Sequence, residues 1–188
     1  PGPMDAATVR RGVEERLERL DIDCVDLLQF HWWRYASPEY LDALTETVRL
    51  REEGLIREIG LTNFDTGHLR LILRQGIEIV SNQVCFSLLD RRAAGEMSAL
   101  CAETGVRLLG FGTLCGGFLS DRWVGQAEPE EIADWSRMKY KRYIDVAGGW
   151  APFQSLLDAL AVVARKHGVS VSNVASRWVL DHDATAGV

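Results

Sequence analysis

Residues 17–33 read LERLDIDCVDLLQFHWW, and this stretch sets the pattern for the rest of the chain. It contains the end of an amphipathic helix, an Asp-Ile-Asp turn and an apolar strand from Val25 to Phe30, followed by His31. The order of helix, short turn and apolar strand recurs at about 30 residues per unit. Such alternation predicts parallel βαβ units with right-handed crossovers. The sequence therefore predicts an α/β fold.

Three later repeats have the same organisation. Their predicted helices are Ser37–Gly54, Asp65–Gly76 and Ala93–Thr104, and their predicted strands are Ile56–Leu61, Ile79–Val84 and Val106–Phe111. Residues 112–152 are rich in Gly, Trp and charged residues, and we expect one long loop there. Helices are predicted over Phe153–His167 and Ser170–Leu180, and a further strand begins near Ala186.

Two architectures suit this alternation: a doubly wound sheet and a (β/α) barrel. No G-x-G-x-x-G or P-loop motif follows any strand, which weighs against a Rossmann unit. A complete (β/α)8 barrel typically has about 250 residues and eight strands. The 188 residues supply four strands and the start of a fifth, so we expect an incomplete barrel. We treat 1–188 as a single domain and interpret residues 1–4 as a cloning remnant.

Composition excludes several classes of partner. The net charge is −6, and the only basic cluster, residues 137–142, is short and predicted to be solvated. We therefore expect no nucleic-acid partner and no membrane partner. No apolar run has the length of a membrane span, and no signal peptide is evident. Four cysteines without a C-x-x-C pair predict reduced thiols in a cytoplasmic protein.

Polar and aromatic residues follow the predicted strands, and the C-terminal ends of barrel strands meet at one rim. These residues are His31, Thr62, Asn63, Asn82, Gln83 and Phe111. Their convergence predicts a binding site. Each has a structural alternative: a satisfied core histidine, a helix-start turn before Asp65, buried structural amides, or strand-end packing.

Five segments of the chain resemble the aldo-keto reductase family. Residues 17–33 resemble its helix-to-strand segment ending in His and Trp, and EGLIREIGLTNF at 53–64 resembles its strand leading to Ser/Thr-Asn-Phe. IVSNQVCFSLLDR at 79–91 resembles its Asn-Gln-Val strand. GVRLLGFGTLCGGFLSDRW at 105–123 resembles its Tyr-Ser-Pro-Leu segment, and ARKHGVSVSNVASRWVL at 164–180 its late helix.

The resemblance implies an eight-stranded (β/α) barrel, of which this chain would hold about strands 4 to 7 and the late helices. It also implies reduction of aldehydes or ketones to alcohols with NADPH, or alternatively NADH. His31 resembles the catalytic histidine that polarises the substrate carbonyl. Thr62, Asn63 and Gln83 resemble the residues that hold the nicotinamide carboxamide and ribose.

The segment after the fourth strand departs from the family pattern. Phe111 stands where many members have Tyr, so it keeps a face for stacking but has no hydroxyl group. Gly112, Thr113 and Leu114 replace Ser-Pro-Leu, and their backbone would approach the cofactor pyrophosphate. Arg122 resembles a basic residue that contacts the pyrophosphate in some members.

The resemblance also implies groups that this chain does not supply. The family's proton donor is a Tyr supported by a Lys and an Asp, all from strands that precede the matched segments. We therefore expect no appreciable turnover by the 188 residues alone. The exposed edges of a partial barrel would favour self-association.

Several alternatives stay open. One is a non-catalytic nicotinamide-binding or interaction subunit of the same family, and another is a truncated product without cofactor. A third is an unrelated barrel enzyme that uses His31 as a base or metal ligand. No second histidine or carboxylate stands at a strand end to complete a metal site, so we expect none. We predict that Asp181-His182-Asp183 is solvated and that Trp135 and Trp150 pack the long loop.

Overall fold

The computed structural model describes residues 4–188, so the remnant predicted at residues 1–4 falls outside the described residues except for Met4. The described chain divides into two units. The first holds the chain up to Val84 together with Ala99–Leu108, and the second holds Cys85–Ser98 together with Leu109–Val188. The single domain expected from the sequence stays a prediction.

The strands pair in the order in which they occur along the chain. They are β1 (Val25–His31), β2 (Ile56–Thr62), β3 (Ser81–Cys85), β4 (Arg107–Phe111) and β5 (Thr185–Gly187), and hydrogen-bonded neighbours follow the order β1-β2-β3-β4-β5. The β1–β2 and β2–β3 pairs are parallel. A doubly wound sheet reverses its strand order at a switch point, whereas each barrel strand pairs with the next. The observed order therefore favours the barrel.

The described part of the chain has seven α-helices, of which the first four each precede one of the strands β1 to β4 and the last three follow one another before β5. They are α1 (Ala6–Leu20), α2 (Glu39–Glu52), α3 (Thr66–Arg74), α4 (Glu96–Thr104), α5 (Trp135–Val146), α6 (Trp150–His167) and α7 (Val171–Leu180). Short 3-10 turns occupy Arg92–Ala94, Cys115–Gly117 and Asp121–Trp123. Within residues 4–188 no helix is by itself long and apolar enough to cross a membrane. Helices α5 and α6 together have the length and apolar composition of a span, but the chain bends by 98° between them.

Side-chain caps explain where three of the helices begin. The Asp5 carboxylate accepts a hydrogen bond from the Thr8 amide at 2.9 Å at the start of α1. Asp65 does the same for α3, accepting from the His68 amide at 2.8 Å. Ser170 and Asn173 form a reciprocal capping box at the start of α7. Each cap satisfies backbone amides that have no partner within the helix.

The prediction of one loop over residues 112–152 is wrong for residues 135–146, which form α5, and for residues 150–152, which begin α6. Its sequence is largely polar, but Tyr140 and Ile144, one helical turn apart, are buried. The basic cluster at 137–142 therefore belongs to a packed helix rather than to a fully solvated segment. Tertiary burial of one narrow face outweighs the weak local signal.

Other boundaries also differ by a few residues from the sequence predictions, as α4 and β3 show. The predicted helix Ala93–Thr104 begins as a 3-10 turn, and α4 starts only at Glu96, after Gly95. Strand β3 begins at Ser81 instead of Ile79. Val80 still participates in pairing, because its carbonyl accepts a hydrogen bond from the Arg107 amide at 2.9 Å.

Register divides the side chains of the first unit between two faces of the sheet. One face carries Phe30 and Leu61, which are buried, and α2 packs against β2. The opposite face carries Leu27, Gly60 and Ser81. A Cβ atom at Gly60 would overlap Ser81 Oγ and lie 3.2 Å from Leu27 Cδ1. Glycine is therefore required there by the close approach of β1 and β3 side chains.

We predict that Gly60→Ala lowers the free energy of unfolding by about 1–3 kcal/mol, because the added methyl overpacks a closed site. Denaturant titration of the chain measures it. Gly12→Ala is the control, since Gly12 lies inside α1 and its Cβ would meet only the flexible Arg16 guanidinium at 3.4 Å. The Gly12→Ala change should raise the free energy of unfolding by about 0.5–1 kcal/mol, because alanine has a higher helix propensity than glycine. Equal effects of the two changes would refute the steric argument.

Candidate functional site

Three of the predicted site residues form one row across the first unit. His31 pairs in register with Thr62, and Thr62 pairs with Gln83, at the C-terminal ends of β1, β2 and β3. Residues paired in this way project from the same face of the sheet. All three are half-buried. The structure thus brings together three side chains that are far apart in sequence.

Asn63 continues this row from the turn after β2. Its amide N–H donates to the Gln83 carbonyl at 2.8 Å, and its Nδ2 lies 3.5 Å from His31 Nε2. Its φ of 62° lies in the left-handed region, which asparagine tolerates better than most residues do. Because this conformation costs energy, it persists only where surrounding contacts hold it.

Tyr35 supplies such a contact. Its hydroxyl donates to the Asn63 carbonyl at 3.0 Å, and its ring packs edge-on against Phe64 at 5.2 Å. Burial raises the pKa of Tyr35 to about 12, so the hydroxyl stays protonated and able to donate. This role of Tyr35 has no signature in the sequence. The two residues are 28 positions apart, and no local pattern links them.

The helix-start alternative holds for Asp65 but does not account for Asn63. Asp65 caps α3 and also contacts His68 Nδ1 at 2.8 Å. Burial tends to raise the pKa of Asp65, but hydrogen bonds from His68 keep it below its usual value. Asn63 caps nothing and lies exposed beside His31.

The two neighbouring amides of β3 have different roles. Asn82 is fully buried and its Nδ2 donates to the Phe64 carbonyl at 2.8 Å, which confirms the structural alternative for this residue. Gln83 projects from the opposite face and is half-buried. Its side chain makes no hydrogen bond to any of residues 4–188, so both ends of the amide are available to a ligand.

His31 is flanked by an exposed tryptophan. The Trp33 ring lies 4.4 Å from the His31 ring and is 83% exposed. Trp32 instead stacks on Phe30 at 5.8 Å, and its Nε1 donates to the Arg34 carbonyl. Within the described chain, His31 has no backbone carbonyl partner, so the alternative of a satisfied core histidine is not supported.

The second unit holds the other predicted residues. Phe111, Gly112 and Leu114 are half-buried and Thr113 is buried, at the end of β4. The Gly112 φ is 68°, and the Cys115 amide donates to its carbonyl at 2.9 Å, which closes a tight turn. A Cβ atom on Gly112 would overlap the Tyr140 hydroxyl. The sequence Gly-Thr-Leu therefore forms a compact turn packed under α5.

Arg122 is exposed on the 3-10 turn Asp121–Trp123. Its guanidinium lies 5.2 Å from the Trp123 ring centroid and forms no ion pair with the described residues. The neighbouring Asp121 carboxylate accepts the Val171 amide at 3.1 Å, which attaches the turn to the start of α7. The arginine is thus presented from a fixed turn with its donors available.

Two aromatic predictions have opposite outcomes. Trp150 packs as expected, 5.7 Å from the Trp123 ring and 6.1 Å from Phe118. The packing prediction for Trp135 is wrong, because its side chain is 75% exposed at the start of α5. The position of α5 buries Tyr140 and turns Trp135 to solvent.

The solvated interpretation of residues 181–183 is wrong for His182. Its ring packs at 4.8 Å from Phe86 and 4.6 Å from Trp178, and its Nδ1 lies 2.9 Å from the Trp178 carbonyl. Asp181 and Asp183 are exposed as predicted. Within residues 4–188, no group of three or more His, Cys, Asp or Glu side chains is arranged to hold a metal ion.

The cysteines are free thiols, as expected. Burial raises the pKa of Cys85 to about 12 and those of Cys101 and Cys115 to about 11, so all three are neutral at ordinary pH. Near Cys85, the buried Asp90 carboxylate forms a two-pronged contact with Arg92 at 2.8 and 2.6 Å. Burial would raise the pKa of Asp90, but these hydrogen bonds hold it below its usual value.

The model of the Aldo/keto reductase family matches residues 1–188. The chain belongs to this family. Flagellar radial spoke protein 5 of Chlamydomonas reinhardtii is 31% identical over 96% of the chain and 36% of that protein. The NADH-specific methylglyoxal reductase of Escherichia coli is 29% identical over 94% of the chain and 53% of that protein. The chain thus spans about half the length, or less, of these relatives.

Solved aldo-keto reductases share the fold. A glycerol dehydrogenase from Gluconobacter oxydans superposes with a TM-score of 0.82 at 23% identity, over 98% of this chain and 55% of that one. A Klebsiella pneumoniae aldo/keto reductase, solved with NADP and acetate, superposes with a TM-score of 0.70 at 20% identity. The superposition covers 99% of this chain and 56% of that one. At these identities the likeness is one of fold, and it supports the aldo-keto reductase barrel predicted from the sequence.

We predict that Tyr35→Phe loosens the Asn63 turn. Removal of the hydroxyl leaves the Asn63 carbonyl without this donor and should lower the free energy of unfolding by about 0.5–1.5 kcal/mol. Denaturant titration measures this loss, and hydrogen exchange at the Asn63 amide should become faster. Tyr40→Phe is the control, because the Tyr40 hydroxyl has no hydrogen-bond partner within residues 4–188 although its ring packs in the same aromatic cluster. If both changes gave the same result, the support of the Asn63 turn by the Tyr35 hydroxyl would be disproved.

Proposed function

We propose that this chain provides the carbonyl-orienting histidine and the nicotinamide pocket of an NADPH-dependent reductase that converts aldehydes or ketones to alcohols. The observation that supports this most directly is the row His31–Thr62–Gln83, with Asn63 beside His31. Membership of the aldo-keto reductase family agrees with it. The bound cofactor would supply the hydride, and this chain would position both reactants.

The polar groups of the row suit a nicotinamide carboxamide. Such a group needs a donor for its oxygen and an acceptor for its NH2, and each of Asn63 and Gln83 offers both. The Gln83 side chain is half-buried and has no partner within the described residues, so water competes only partly for its hydrogen bonds. Two amides held in fixed places would select one orientation of the ring.

His31 is the proposed catalytic residue of this chain. A neutral imidazole N–H can donate to a carbonyl oxygen and stabilise the negative charge that develops there. Asn63 Nδ2 lies 3.5 Å from His31 Nε2, so the amide restrains that edge of the ring. Trp33, whose ring lies 4.4 Å away, would limit access of water to the histidine.

Three features of the second unit, taken by itself, suit contact with a dinucleotide cofactor. Phe111 offers a face for stacking, the tight turn from Gly112 to Leu114 would supply backbone groups to a pyrophosphate, and the Arg122 guanidinium forms no ion pair with residues 4–188. We propose these residues as cofactor contacts on the basis of the family motif.

The cofactor and substrate class follow by analogy with relatives. The Klebsiella structure contains NADP, whereas the E. coli relative is named as NADH-specific. We propose NADPH, with NADH as the alternative. Relatives in E. coli and Bacillus subtilis are named for methylglyoxal and glyoxal, which favours a small reactive carbonyl substrate. The cytoplasm and self-association through open sheet edges remain proposals from the sequence.

A second candidate is an interaction subunit that binds cofactor without turnover. The Chlamydomonas relative, 31% identical, is named as a flagellar radial spoke protein rather than as a reductase. Binding of nicotinamide cofactor by the complete protein, without oxidation of NADPH by any aldehyde, would favour this candidate.

The proposed pocket predicts that Gln83→Leu weakens NADPH binding about tenfold, since it removes one or two amide hydrogen bonds. Isothermal titration calorimetry of the chain measures the affinity. Gln29→Leu is a matched control, because Gln29 lies on the same face of β1 as His31, two residues before it, and in register with Gly60. The control should bind NADPH like the unchanged chain. Equal losses in both variants, or no binding at all, would reject the pocket.

We expect the 188 residues alone to give no appreciable turnover, because general acid catalysis contributes a factor of about 100 to 10,000. Tyr35 is engaged with the Asn63 carbonyl, and Tyr40 is 2% exposed, so neither is placed as a proton donor. NADPH oxidation with a panel of aldehydes is the measurement. Clear turnover that is lost in His31→Ala would show that this chain supplies its own proton donor.

A further inference from the structure

Lys139 of α5 places its ammonium group close to Phe111, the residue proposed to stack on the cofactor. Its Nζ lies 5.2 Å from the Phe111 ring centroid and 4.9 Å from that of Tyr140. The residue is exposed, and within residues 4–188 it has no ion-pair partner. Lys141, two positions on, pairs with Glu128 at 2.5 Å and also with Asp145. Of these two lysines, only Lys139 retains an uncompensated charge.

The position of Lys139 is imposed by the packing of its neighbour Tyr140. Tyr140 is buried against the turn that follows Phe111, and side chains at Gly112 or Gly116 would collide with its ring or hydroxyl. A Cβ atom on Gly116 would lie 2.9 Å from Tyr140 Cδ2. The two glycines thus let α5 lie directly on the turn, which brings the Lys139 stem to Phe111.

Nearby ionisable groups do not neutralise this charge. The Asp90 carboxylate is already paired with Arg92 through two hydrogen bonds. The thiol of Cys85 and the hydroxyl of Tyr140 have pKa values raised by burial to about 12, so both are uncharged near neutral pH. These three groups therefore leave the charge of the Lys139 ammonium beside Phe111 uncompensated.

We infer that Lys139 makes the site discriminate between the oxidation states of the nicotinamide, favouring the reduced cofactor. This rests on the proposed function, in which Phe111 offers a stacking face to the cofactor, and it takes the nicotinamide as the ring on that face. The oxidised ring carries a positive charge and the reduced ring is neutral, so a nearby ammonium repels only the oxidised form. The phosphates are the same in both forms, and their attraction to Lys139 cancels in the ratio of the two dissociation constants.

Such discrimination fits a carbonyl reductase. Weaker binding of the oxidised cofactor favours its release after hydride transfer and limits product inhibition. Two unit charges several Å apart in a partly hydrated site change the ratio of dissociation constants by about fivefold. Lys139 would then be a specificity-determining residue for the oxidation state of the cofactor.

The test compares the dissociation constants of NADP+ and NADPH by calorimetry in the unchanged protein and in three variants. Lys139→Met keeps a long apolar stem and removes the charge, and it should lower the ratio of the NADP+ to the NADPH constant about fivefold. Lys139→Arg keeps the charge and should preserve the ratio. Lys141→Met, the control on the same helix, should also leave it unchanged.

The outcomes separate this inference from the proposed function. If NADPH binds but Lys139→Met leaves the ratio unchanged, the inference fails and the proposed function stands. Equal weakening of both forms would mean that Lys139 contacts only phosphate, and this also overturns the inference. If the unchanged protein binds neither form, both proposals fail. If Lys141→Met also lowered the ratio of the NADP+ to the NADPH dissociation constant, the effect would be one of general charge and the inference for Lys139 would fail.

Discussion

The parallel register of β1, β2 and β3 is the constraint on which the candidate site depends. It aligns His31 with Thr62 and Thr62 with Gln83, so that three side chains emerge side by side. Because side chains alternate between the two faces of a sheet, a slip of one residue would bury this row among the helices and expose Phe30 and Leu61. The apolar face thus determines where the polar face lies.

The turn after β2 shows how the first unit holds a strained residue beside this row. Asn63 adopts a left-handed conformation, and its backbone is held at both ends, by the Gln83 carbonyl and by the Tyr35 hydroxyl. A side chain that must meet a ligand is more useful when its backbone cannot relax, since less ordering remains to be done on binding. The aromatic cluster of Tyr35, Tyr40 and Phe64 provides that rigidity through packing.

In the second unit, a helix holds the backbone beside the candidate residues: α5 packs on the turn that follows β4. Helix α5 is secured by two buried side chains and by the absence of side chains at Gly112 and Gly116. Its polar sequence then serves the surface, where Lys139 lies over Phe111 and Lys141 is paired with carboxylates. One helix therefore both packs the turn after β4 and sets the local charge. Family relatives differ in function by name, and such local charges are one means by which a shared fold acquires different preferences.

The sequence alone determined the α/β class, the strand positions to within about two residues and the identity of His31, Thr62, Asn63 and Gln83 as candidates. These follow from periodicity and from motifs that occupy consecutive positions, which a linear pattern records directly. The sequence could not reveal the hydrogen bond from Tyr35 to the Asn63 carbonyl or the one from Asn82 to the Phe64 carbonyl. Nor could it reveal the packing of His182 or the existence of helix α5. Each of these depends on contacts between residues far apart in the chain, or on a buried face only two residues wide. Only the tertiary structure decided them, because burial and hydrogen-bond partners are set by the neighbours that folding brings together.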